Sequence, residues 1–87
     1  MAVNDFEKTD EEWGIYPNPF SGQTIIKSNK YKLQRILVRD IIGNVVLQLA
    51  VNDYQSVLDM HGFSKGVYFV SIEDETQNMV NRKIVMQ

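Results

Sequence analysis

The sequence predicts an all-β fold built as two packed antiparallel sheets, and three observations carry that reading. About seven short apolar stretches recur along the 87 residues, turn residues separate them about every 8 to 12 positions, and no stretch shows an apolar stripe at helical spacing. Strands this short cannot each bury both faces in so small a chain. Two sheets with alternating inward residues are therefore the economical arrangement, an immunoglobulin-like sandwich, with an open barrel as the alternative. The length holds one domain, and area scaling buries about 64% of the open chain's surface, enough for a thin core. A composition of 44% hydrophobic and 23% charged residues suits a folded domain and excludes wholesale disorder.

Taken in order, Ala2 to Glu12 is polar and acidic, with Asp5, Glu7, Asp10, Glu11 and Glu12 against Lys8. Residues 1–12 read as a solvated linker from an upstream domain, and residues 13–87 as the folded unit. The linker lacks the ligand spacing and glycine turn that a calcium loop needs. Trp13 to Tyr16 opens the apolar part. Pro17-Asn18-Pro19-Phe20-Ser21-Gly22 then reads as a turn, because each proline fixes φ and removes an amide donor, so the chain leaves one strand and enters another. Thr24 to Ser28 is the next strand, and Asn29, Lys30 and Lys32 interrupt it.

In Gln34 to Asp40, Ile36 and Val38 share one face while Leu37 shares the other with Arg35 and Arg39, a period of two. Gly43-Asn44 follows Ile41-Ile42 and tolerates positive φ, which marks a hairpin into Val45 to Val51. After a loop at Asn52-Asp53 come a strand at Gln55 to Met60, a corner at Gly62 to Gly66, a strand at Val67 to Ile72, a polar turn at Glu73 to Asn78, and a last strand at Met79 to Met86. Tyr68 stands where a corner tyrosine buries its ring and bonds its hydroxyl to nearby backbone, with Gly66 permitting the tight bend. Val70 and Ile72 then face inward with it, and Val67, Phe69 and Ser71 face away.

The residues offer little chemistry. Nine basic residues oppose eleven acidic ones, which is not the electrostatic footprint of a nucleic-acid binder. Cysteine is absent, removing disulfides, thiolate zinc sites and cysteine nucleophiles. The apolar runs fall far short of the roughly 18 to 20 residues that cross a bilayer. No basic start precedes an apolar stretch, and Met1-Ala2 reads as the start of an expressed fragment that continues a longer chain. His61 has no second histidine to share a metal with, the serines lack an elbow motif and a triad, and Asp74-Glu75 lies in a polar turn that would not desolvate it. The expectation is a non-enzyme with no cofactor and no metal. Trp13, Tyr16, Phe20, Tyr54, Phe63, Tyr68 and Phe69 suit a core better than a sugar-stacking platform.

Four pieces, in order, resemble one family, the type A C-terminal sorting domain of proteins exported by the type IX secretion system of Bacteroidota. Tyr16-Pro17-Asn18-Pro19-Phe20 looks like its opening motif. Ile36 to Val46, with Asp40 and Gly43, looks like its central hairpin. Leu58 to Met60 followed by Gly66 to Ile72, with Tyr68, resembles its most recognisable strand pair, and Lys83-Ile84-Val85 resembles its terminal strand. Three departures stand out: Arg39 where an aromatic is common, Phe63 where leucine is common, and Met86-Gln87 in place of a frequently basic finish.

The resemblance implies a non-enzymatic address label. Such a domain follows a cargo protein in the same precursor, takes it from the periplasm through the outer-membrane translocon to the cell surface or medium, and is removed by a sortase-like peptidase. The rival readings are a fibronectin-like spacer or adhesive module and a carbohydrate-binding module using exposed aromatics. The terminal strand is expected near a sheet edge, where unpaired backbone and a projecting Lys83 are open to strand addition by a partner.

Overall fold

Seven strands carry the chain: β1 (Trp13–Ser21), β2 (Gln23–Ser28), β3 (Leu33–Arg39), β4 (Val45–Asp53), β5 (Gln55–Asp59), β6 (Gly66–Asp74) and β7 (Met79–Met86). The structure is a computed structural model that describes residues 13–87. The acidic segment read as a linker lies outside the described residues. β2 sits between β1 and β5 in one antiparallel sheet, and β4, β3, β6 and β7 form a second one in that order. The two sheets make a small β-sandwich with no helix among the described residues, as the sequence predicts.

β1 belongs to both sheets. Trp13 to Tyr16 pair with Ser28 to Ile25 of β2, the register then shifts, and Phe20 pairs in parallel with Met86 of β7. Strands that pass from one sheet to the other do so through bends and bulges, and the Pro17-Asn18-Pro19 segment supplies that bend. Both of its X–Pro peptide bonds are cis. The expected turn at Pro17 to Gly22 is therefore corrected: the strand runs through to Ser21, and the reversal falls at Gly22 alone, whose φ of 91° belongs to glycine. Proline removes donors but leaves the chain extended, so it ends conventional pairing without ending the strand.

Period-two alternation fills the interior. Ile36 and Val38 of β3, Tyr68, Val70 and Ile72 of β6, and Ile84 and Met86 of β7 are buried against Ile26, Leu58 and Phe20. Each such side chain contributes about 1.5–3 kcal/mol by leaving water. A register shift between Leu33 and Arg35 lets Leu33 and Ile36, three residues apart, both face inward.

The registers also define two ends. Trp13, Ser28, Leu33, Asp53 and the turn after Asp74 lie at one. At the other lie the turns at Gly22 and Gly43, the corner before Gly66, and Gln87.

Candidate functional site

The opening and terminal motifs meet along the seam between β1 and β7. Pro17 and Pro19 have no N–H with which to pair, so the side chain of Asn18 takes over. Its Nδ2 donates to the carbonyl of Lys83 at 3.2 Å, and its Oδ1 accepts from the N–H of Val85 at 3.0 Å. A side-chain amide thus stands in for a strand backbone, donor and acceptor together. The seam closes where the Gln87 N–H donates to the Phe20 carbonyl at 2.7 Å. On the other side of β1, the buried Thr24 hydroxyl donates to the Pro17 carbonyl at 2.7 Å. Tyr16 itself is exposed.

This arrangement corrects the expectation of an open terminal strand. β7 lies between β6 and β1, and the edges of the sandwich are β4 and β5. Ile84 and Met86 face the core, while Lys83 faces solvent and Val85 is half-buried on the outer side. Alternation specifies a strand's faces but not its neighbours, and the neighbour here is supplied by a side chain.

Gly66 and Tyr68 form a second group. The buried Tyr68 donates its hydroxyl to the Ser64 carbonyl at 2.5 Å, and its ring meets Phe63 edge-on with centroids 6.4 Å apart. Gly66 precedes it at φ 141°. Tyr68 sits at a corner in the manner expected of it.

Asp40 and Gly43 form a third group. Asp40 Oδ1 accepts from the N–H groups of Ile42 and Asn44 at 3.1 and 2.9 Å, the Asp40 carbonyl accepts from Gly43, and Gly43 adopts φ 96°. This is a three-residue hairpin loop ending in a left-handed residue. Pro17, Asn18 and Pro19 therefore share one seam with Lys83, Ile84 and Val85, and Tyr16 precedes it, paired with Ile25 of β2. Tyr68 joins them through its pairing with Ile84, and Asp40 and Gly43 stand apart at the tip of the β3–β4 hairpin.

His61 is exposed, and its ring lies against Gly22, where an added Cβ would fall 2.3 Å from Nε2. Its N–H and its Nδ1 both reach Asp59 Oδ1, at 3.1 and 2.7 Å. The backbone bond first, and the ring contact second, hold the Asp59 carboxyl below its ordinary value. Among the described residues no group of three metal-ligating side chains converges, and no helix is long and apolar enough to cross a membrane. The cleft lined by Tyr31, Leu33, Ile72 and Val80 has a volume of about 30 Å³, room for one water, and two wider surface grooves, of about 440 Å³ beside Arg35, Leu49 and Glu73 and of about 420 Å³ beside Lys32, Val51 and Glu75, are lined by none of the motif residues. The expected core role of the aromatics holds for Phe20 and Tyr68, whereas Tyr16, Tyr54 and Phe69 are exposed. Phe69 lies on the four-stranded sheet and Tyr16 on the three-stranded one, so these rings do not build one sugar platform.

Sequence reasoning missed Thr24, Ser64 and the pair Ser71 and Asn81. Ser71 is buried, accepts from Arg39 Nη1 at 3.1 Å and donates to Asn81 Oδ1 at 2.5 Å. The available signal was a small polar residue on an outer face between apolar neighbours.

A two-sheet module with an interlocked first and last strand, and a surface without a catalytic constellation among the described residues, is the class that fold and seam define. The chain matches the family described as "Secretion system C-terminal sorting domain" over residues 14–87. It belongs to that family, the type IX secretion sorting domains, which is not a family of enzymes. A comparison with curated proteins gave no match.

Proposed function

We propose that residues 13–87 act as a folded export label. The type IX translocon reads the domain in the periplasm, carries the attached upstream cargo across the outer membrane to the surface or medium, and a sortase-like peptidase then removes the label. The observation that carries this reading is the Asn18 staple, which makes the opening motif and the terminal strand one structural unit. A label read as a shape needs its two motifs held in fixed relation, and a bidentate amide does that. The geometry of attachment supports it too. Trp13, where the upstream chain joins, lies at the opposite end of the sandwich from Gln87 and the glycine turns, so a cargo would not cover them. Cleavage is assigned to residues 1–12, the polar, acidic segment that precedes the first apolar strand in the sequence.

The test is a stable reporter carrying residues 1–87 at its C-terminus in a type IX-secreting bacterium. The expected result is reporter outside the cell, with its new C-terminus, read by mass spectrometry, within residues 1–12. Reporter retained inside, as for a spacer module, overturns the export reading. A cut within Ile36 to Ile72 overturns the cleavage reading. Removing Ile84 to Gln87 is expected to abolish export.

A further inference from the structure

One row of side chains crosses the outer face of the four-stranded sheet. Val45, Arg39, Phe69 and Lys83 are successive cross-strand partners on β4, β3, β6 and β7. Phe69 is 44% exposed at the centre of the row. Burial elsewhere in the domain does not require it there, since the inward positions of β6 are filled by Tyr68, Val70 and Ile72. Two cations flank it. Half-buried Leu37, Val67 and Val85 surround it on the same face.

The cations differ in how they are held. The next row contains Leu37, Ser71 and Asn81, and the buried Ser71 hydroxyl accepts from Arg39 Nη1 while donating to Asn81. That relay across β3, β6 and β7 lays the guanidinium along the sheet beside Phe69. It uses one of five N–H donors, and Arg39 has no other partner among the described residues. The Lys83 ammonium has no acidic partner among the described residues either. The carboxylate farther along this face, Glu73, is taken by Arg35 at 3.0 Å. The patch around Phe69 is therefore apolar, net positive and partly fixed in advance. Exposed aromatic and arginine side chains set among apolar neighbours are what protein interfaces use as anchors, and a guanidinium already oriented loses little entropy on pairing with a carboxylate.

We infer that this face docks a protein partner that presents an apolar pocket for Phe69 rimmed by carboxylates that pair with Arg39 and Lys83. The inference rests on the export reading and names the surface through which the label is read. It also replaces the strand-addition route, because Asn18 already occupies the Lys83 carbonyl and the Val85 N–H.

The test uses the reporter carrying residues 1–87 in intact cells. Export by the parent chain comes first, and its absence counts against the export reading rather than against this surface. With export established, Lys83→Glu, Arg39→Glu and Phe69→Ser are each expected to lower extracellular reporter about tenfold. Denaturant unfolding of the purified domains checks the fold. Lys83→Glu alters no side-chain bond within the domain and keeps the test sound should Phe69→Ser unfold. A photocrosslinking p-benzoylphenylalanine at position 69 is expected to join the precursor to a protein other than itself. Exchanging a carboxylate near that crosslink for lysine is expected to restore export of the Lys83→Glu form. Full export by folded Lys83→Glu and Arg39→Glu chains overturns the inference. So does a crosslink to a second copy, to residues 2–12 of the same chain or to lipid or polysaccharide, and so does failure of every nearby charge exchange to restore export.

Discussion

At one end of the sandwich Asp40 caps the loop into β4, and at the other Asp74 caps the loop into β7. The backbone donors and acceptors correspond: the aspartate Oδ1 accepts N–H groups two and four residues on, its carbonyl accepts the N–H three residues on, and its N–H donates to the carbonyl of the asparagine that closes the loop, with the Thr76 hydroxyl donating to Asp74 Oδ1 in addition. In the first loop Gly43 takes the left-handed position, whereas in the second Gln77 takes it at φ 70°. The residues between differ as well. Ile41 and Ile42 are 71% and 77% exposed, and their counterparts are the polar Glu75 and Thr76. The capping aspartate and closing asparagine are what this turn requires, and glycine only makes it cheaper. All four glycines with positive φ lie at the Asp40 end, with the Tyr68 corner and the chain's last residue. That end was given backbone freedom and apolar surface which the equivalent turn manages without.

The largest effect that would break this contrast lies at the corner. Tyr68→Ala is expected to cost about 3–5 kcal/mol in denaturant unfolding, and Tyr68→Phe about 0.5–1.5 kcal/mol for the lost bond to Ser64. A cost for Tyr68→Ala under about 1 kcal/mol would mean that the glycine-rich end is not held by that ring. Next in size is Asn18→Ala, which leaves the Lys83 carbonyl and Val85 N–H to water at about 1–2 kcal/mol. Faster amide exchange at Val85 would report it directly, and unchanged exchange would show the staple to be idle.

Exchanging the left-handed residues sharpens the comparison. Gly43→Gln is expected to destabilise by about 1 kcal/mol, and Gln77→Gly to stabilise by about 0.5–1 kcal/mol, because only glycine adopts that φ without a Cβ penalty. Two changes of the same sign would show that the turns are not equivalent. The smallest effect is in acid. Asp59 has a folded-state pKa below its ordinary value of 3.8, so its contribution is full above that value and is lost as pH falls through the folded pKa. Asp59→Asn should therefore flatten only the most acidic part of a stability-versus-pH curve, and because the carboxyl is exposed to solvent the change will be slight. A difference between the two proteins that persists in acid below the folded pKa, where the carboxyl is neutral, would point to the bonds with His61 rather than to its charge.

Much of this fold was legible in the residues because alternation is a property of one strand at a time. Ile36 with Val38 and Val70 with Ile72 declare their inner face locally, Gly43-Asn44 declares its hairpin, and Gly66 to Tyr68 declares its corner. What was illegible involves partners distant in sequence. Nothing near Asn18 indicates that its amide will bond a strand more than sixty residues later, so two prolines read as a turn when they are a change of sheet. Likewise the place of β7 within the sheet order depends on β1, and Lys83 appeared open to strand addition for want of that neighbour. The turn at Asp74 carried the same aspartate and asparagine as the hairpin at Asp40, yet without glycine only its polarity was readable.

The seam between β1 and β7 has one more consequence. The two residues that Asn18 grips stand 65 and 67 positions after it, and the bond between Phe20 and Gln87 spans nearly all of the described chain. Closing so long a loop earns nothing until both sides exist, so synthesis must reach the last strand before the Asn18 to Phe20 part of the first can settle, although Trp13 to Tyr16 already has its partner in β2. A polypeptide that stops short of Lys83 leaves Asn18 without its acceptor and Tyr68 without its facing strand. The seam thus acts as a checksum on translation, because the domain can complete its fold only from a message read through to its last strand.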